Sequence, residues 1–298
     1  PGWSAARRGS RDERPKRKKR REDDEDEDSD EPPRSTKLSG KQKKAFEAQL
    51  GKTGLLCLLQ LISSSVHVGA LALMLMVGVL FWAGFTDGLN ALMIVAGLLG
   101  VATWLTALPG YGIAIAGPRE KGSLAFSIAL AATAFVHFIF IVVLATSGKS
   151  PDRVAGYSGD LSWGDFVTQF SALPRILTAT VAGFTPKASY VVLALIANVT
   201  EAARSLLLLF YLRSVMLTIR NKKAAGLCMK ALIGVGGLFI LLIVLGVLFG
   251  IIAQAMDDFR TFANLFRIYN MLLILAVAAA SVGTGFISKM MKGNAEYY

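Results

Sequence analysis

The run ALIANVTEAARSLLLLFYL, from Ala194 to Leu212, sets Asn198, Glu201, Arg204 and Ser205 in a stretch dominated by aliphatic and aromatic side chains. On a helix, at about 100° per residue, Asn198, Glu201 and Ser205 fall within about 60° of one another, with Arg204 about 60° further round. A carboxylate and a guanidinium one turn apart can pair directly. Inside a bilayer such a polar stripe has two uses. It can lock helices together through interhelical hydrogen bonds, or it can relay a proton or an ion or contact a solute. His137, near the middle of another apolar run, stands at a compatible depth and completes the candidate cluster. The lock is the first expectation and the relay the alternative.

Energetics require that neighbours help. A charged residue at a helix centre costs about 2.5–3.5 kcal/mol, so the two charges together cost about 5–7 kcal/mol. The twelve Leu, Ile, Val and Phe residues between Tyr190 and Leu212 return about 4–7 kcal/mol on the same scale. Two lone charges would nearly cancel the span, so the stripe must face protein or water. Asn198-Val199-Thr200 matches a glycosylation sequon, but a span cannot serve as an acceptor.

Signals for catalysis are nearly absent. No HExxH or GxSxG occurs, and no aspartate lies within an apolar run. His67 and His137 are the only histidines and are expected to be ordinary hydrogen-bonded side chains; Cys57 and Cys228 have no paired spacing and read as apolar thiols. The chain is accordingly expected to have no catalytic residues, metal or cofactor, and not to be an enzyme.

The elements that must position the cluster follow from hydropathy. With 53% hydrophobic and 18% charged residues in 298, the chain is too apolar for a soluble domain. A helix needs about 20 apolar residues to cross a hydrocarbon core of about 30 Å, and six segments qualify. They are 66–85, 89–117, 123–146, 189–212, 232–253 and 268–287, with 45–65 as a cytoplasmic or interfacial extension of the first. The fold class is therefore all-α: a polytopic bundle of about six transmembrane helices. Pro109 lacks an amide donor and should kink the second span. Gly246 and Gly250 form a GxxxG on the fifth, expected to serve internal packing rather than a dimer interface.

Basic residues orient the bundle. Arg119 and Lys121 crowd one short link, and Arg213, Arg220, Lys222, Lys223 and Lys230 crowd another, which places both links on the cytoplasmic side of a cell membrane. Six spans then put both termini, including the 293–298 tail, in the cytoplasm, and 149–187 outside. Within that external segment Trp163, Phe166, Phe170 and Leu173 share a helical face suited to the membrane surface, with a re-entrant or spanning segment at 166–184 as the rival.

The N-terminal region is of another kind. Residues 1–50 hold 15 of the 32 Lys and Arg and 12 of the 21 Asp and Glu. RPKRKKRREDDEDEDSDEPPR, from Arg14 to Arg34, has nothing apolar to seed a core, so 1–44 should be a disordered cytoplasmic tail. Lys16, Arg17, Lys18, Lys19, Arg20 and Arg21 could meet anionic lipid headgroups, although the acidic block that follows can neutralise them in cis. Nucleic acid is disfavoured because no aromatics interleave with the charges. The first apolar run, near Gly54, is too long for a signal peptide and should remain as an anchor. Opening at Pro1, the chain is expected to be a fragment or processed form, with room for a further N-terminal domain.

GYGIAIAGPREKGSLAFSIAL, from Gly110, and ARSLLLLFYLRSVMLTIRNKKAAGLCMKALI, from Ala203, resemble a loose group of bacterial six-helix integral membrane proteins of unknown function. The resemblance covers most of residues 45–292, rests on composition and helix order, and implies no activity. Longer members of that group have a zinc-ribbon-like finger ahead of a charged linker, which is not present in these residues. The expected function is a non-enzymatic structural, scaffold or sensor-like membrane component whose partners are the bilayer and another membrane protein. The alternative is a small-solute or ion transporter using the Glu201–Arg204 cluster.

Overall fold

The computed structural model describes residues 40–85, 87–119, 122–146, 177, 188–255 and 259–296. The headgroup-contact residues Lys16 to Arg21, the tail up to residue 39, and the external segment 149–187 apart from Leu177 lie outside the described residues. Among the described residues six long helices carry the fold: α1 (Gly40–Trp82), α2 (Leu89–Ala114), α3 (Ser123–Thr146), α4 (Ala188–Thr218), α5 (Lys222–Gln254) and α6 (Phe259–Glu296). Each is long and apolar enough to cross a membrane, and the protein is an all-α, multi-pass membrane protein.

The helices outrun the spans they contain. α1 has 43 residues, about 65 Å at 1.5 Å per residue, roughly twice the hydrocarbon thickness. It begins at Gly40, inside the stretch expected to be tail, and passes without interruption through the boundary expected at 65–66. α4, α5 and α6 likewise extend beyond their apolar windows into basic ends. α2 continues through Pro109 to Ala114 and stops there, three residues short of Gly117, because Gly117-Pro118 cannot prolong it.

Two of the ends show why the chain turns where it does. At the end of α1 the Gly84 amide donates to the Phe81 carbonyl (3.2 Å) and the Phe85 amide to Leu80 (3.0 Å). Gly84 sits at φ 89°, the left-handed geometry of a Schellman stop. α4 ends with the same bonds, Arg220 to Leu217 (3.2 Å) and Asn221 to Met216 (2.9 Å), but here the left-handed residue is Arg220 at φ 59°. Asn221 then caps α5, its side chain accepting from the Ala224 amide at 2.9 Å.

Packing closes the six helices into a ring. Each helix contacts its neighbours in sequence, and α6 packs on α1 to complete the circuit. Inside the ring the core is layered. One apolar layer gathers Leu56 of α1, Ala114 of α2, Leu130 of α3, Leu212 of α4, Cys228 of α5 and Met291 of α6. The other gathers Leu71, Ala96, Ile141, Ala197 and Val277. Every helix that enters both places buried polar residues between the two: Gln60 to His67 on α1, Thr103 on α2, His137 on α3, Asn198 to Ser205 on α4 and Ser281 on α6. Outward-facing Ile233, Ile240, Leu241, Val244 and Leu248 are exposed on α5, as a lipid-facing surface requires. Gly246 and Gly250 lie on its buried face with Leu242, whose carbonyl accepts from the Tyr269 hydroxyl of α6 at 3.1 Å.

Candidate functional site

The polar layer is organised by α4. Glu201 and Arg204, one turn apart on a regular helix, are 0% and 4% exposed. Arg204 Nε donates to Glu201 Oε2 at 2.6 Å and Nη2 donates to Oε1, a bidentate pairing that matches the guanidinium fork to the carboxylate. The third nitrogen, Nη1, donates to the Tyr111 hydroxyl on α2, which itself donates to Gln60 Oε1 on α1 at 2.9 Å. Trp104 and Tyr111 also offer ring faces to the guanidinium, at 5.1 and 5.4 Å from their centroids, an attraction strengthened by desolvation. Ser205 adds a longer contact to Glu201 at 3.4 Å.

On the other side of the carboxylate, His137 of α3 places Nε2 3.2 Å from Glu201 Oε2 and Nδ1 3.0 Å from the Thr200 hydroxyl. The Thr200 hydroxyl has a single proton and also faces the Ile196 and Ala197 carbonyls at 2.8 and 2.9 Å; when it donates to a carbonyl, it accepts from Nδ1–H of His137. Trp104 packs against the His137 ring at 4.9 Å. The chain Gln60–Tyr111–Arg204–Glu201–His137 therefore crosses four helices. Thr200, within the sequon, is committed to this layer through His137 and the Ile196 and Ala197 carbonyls.

A polar cavity of about 30 Å³ lies on the far side of Arg204, lined by side chains from every helix except α3. Its walls include Gln60, Ser63, Ser64 and His67 of α1, Thr103 of α2, Arg204 and Ser205 of α4, and Ser281 and Thr284 of α6, with Val235 from α5. Ser63 donates to the Thr103 carbonyl at 2.9 Å. His67 is 2% exposed, and neither of its ring nitrogens has a hydrogen-bond partner among the described protein groups. The hydrogen bonds expected of this histidine do not come from protein groups: the surrounding hydroxyls line the same cavity but do not reach the ring.

All five residues of the sequence-derived cluster, Asn198, Glu201, Arg204, Ser205 and His137, are buried in this layer. Gly246 and Gly250 stand apart from it, in the α5–α6 packing. Gln60, Tyr111, Trp104 and Thr200 were not foreseen. Gln60, Ser63, Ser64 and His67 repeat at three and four residues, so a helical polar face is legible on α1; the span boundary expected at 65–66 divides it, leaving Gln60, Ser63 and Ser64 in the extension and His67 in the span. Among the described residues no group of three or more His, Cys, Asp or Glu side chains is placed to hold a metal. No protein family, curated protein or solved structure matches the chain.

Proposed function

We propose that this chain is a non-enzymatic structural, scaffold or sensor-like membrane component whose spanning helices are locked by the Glu201–Arg204 layer. The observation that carries this reading is the commitment of Arg204. Its fork is spent on Glu201 and Tyr111, aromatic rings flank it, and the carboxylate is shared with His137. A charge held by side chains of the protein itself is poorly placed to take up and release a substrate. The apolar layers above and below support the same reading, since they separate the pair from both aqueous sides.

The transport alternative has one observation in its favour, the polar cavity beside Arg204. At about 30 Å³ it has room for about two water molecules, which is too small for most metabolites. The proposed setting is a cell membrane with both termini cytoplasmic, supported by the basic links at Arg119–Lys121 and Arg213–Lys230. The proposed partners are the bilayer, anionic headgroups at Lys16 to Arg21, and another membrane protein.

Ion and proton flux in proteoliposomes tests the choice. Wild-type protein is expected to give no flux above protein-free vesicles, and Glu201→Gln to lose thermal stability. A wild-type proton-coupled flux that disappears in a Glu201→Gln protein of unchanged stability would replace the lock with a transporter.

A further inference from the structure

We infer that the cavity against His67 is an internal water site, holding about two molecules that bridge His67 to the hydroxyls of α6 and to the Glu201–Arg204 layer. A neutral imidazole carries one donor and one acceptor. Both are buried here without a protein partner, in walls that supply the hydroxyls of Ser63, Ser64, Thr103, Ser205, Ser281 and Thr284. A ligand that meets both ring nitrogens must donate and accept at once. Hydroxyl-rich walls ask the same.

Size and charge narrow the class to water. On the measure that gives about 30 Å³, one water needs about 10–15 Å³. The bidentate Glu201–Arg204 pair presents no net charge to the cavity, so neither a cation nor an anion gains from it the attraction that would offset its lost hydration. A small apolar molecule would leave both nitrogens of the imidazole unpaired, which costs more than hydrating them. α6 brings Ser281 and Thr284 to the cavity, where the Thr284 hydroxyl also meets Ser64 of α1 at 3.4 Å.

The test reads water directly at the ring. In bilayer samples with nitrogen-15-labelled histidine, magnetisation transfer is measured between water protons and the imidazole N–H. The chain has two histidines, so His67→Gln assigns the His67 signal by its loss. The expected result is a water cross-peak at His67 in the wild-type protein. A second measurement is the detergent melting temperature of His67→Leu. Hydration predicts a fall of about 2–4 °C for each net hydrogen bond lost, because the bridging waters lose their partner. A dry cavity predicts a rise, because an unpaired imidazole is replaced by an apolar side chain. No water cross-peak at an assigned, folded His67, or a rise in melting temperature, overturns the site. Neither readout depends on whether Glu201 and Arg204 lock the bundle, which is tested separately by their double mutant.

Discussion

At the scale of single residues, Glu201 and Arg204 behave as a unit because each is the other's main partner in a buried setting. Removing one partner of a buried pair leaves an uncompensated charge and costs about 3–5 kcal/mol, whereas replacing both by uncharged groups costs less. Glu201→Gln or Arg204→Leu alone should therefore lower detergent thermal stability clearly, and the double change should recover part of the loss. A thermodynamic cycle over the four proteins measures this; additive losses would show two independent residues and leave the polar stripe without its present explanation. The pair was visible in the sequence because charge stands out against Leu and Ala. Tyr111 and Trp104 were not, because an aromatic residue in an apolar run reads equally well as facing lipid, and only the rotation of α2 about its axis turns both towards Arg204.

Element ends carry two predictions. A Cβ at Gly117, just past α2, would collide with the Tyr211 hydroxyl and come within 3.0 Å of the Ala114 carbonyl. That hydroxyl is bonded to Thr53 at 3.0 Å, tying α1 to α4. Gly117→Ala should displace it and destabilise the protein by about 1–3 kcal/mol, and Tyr211→Phe in the Gly117→Ala background should restore part of the loss by removing the clashing oxygen. Comparison of the melting temperatures of the two variants checks this. At the α4–α5 turn, Arg220 holds a left-handed conformation at φ 59° that costs a residue with a Cβ about 1 kcal/mol relative to glycine. Arg220→Gly should raise the melting temperature and Arg220→Val should lower it; equal values for the two would show that the turn is not strained. Helix existence and order were legible here, since six apolar runs separated by basic or Gly-Pro links leave little choice. The ends were less so, because amphipathic and basic turns such as 40–44 and 213–218 continue a helix by local propensity after the apolar window has closed.

For the molecule as a whole, orientation is the property to test. The orientation proposed from basic density has the Arg213–Lys230 link in the cytoplasm and 149–187 outside. Asn221 caps α5, so Lys222, which is exposed, is the better reporter on that link. In sealed cells, an impermeant thiol reagent should modify Ser158→Cys and spare Lys222→Cys, against a low background from Cys57 and Cys228, which are both buried. Labelling of Lys222→Cys from outside would invert the bundle.

What the sequence determined by itself is what depends on local composition: an all-α membrane protein, six spanning segments, and a charged pair on one face of the fourth. Hydropathy is a one-dimensional quantity, and a span's length and apolarity suffice to read it. The tertiary structure alone decided that α6 closes on α1, and that Gln60, Tyr111, Arg204 and His137 meet at one level between two apolar layers. Such meetings depend on how far each helix slides and how it rotates against partners as distant in sequence as α1 and α6. Side chains of four or five helices must interdigitate at once to set those two variables, and no window along the chain contains them together.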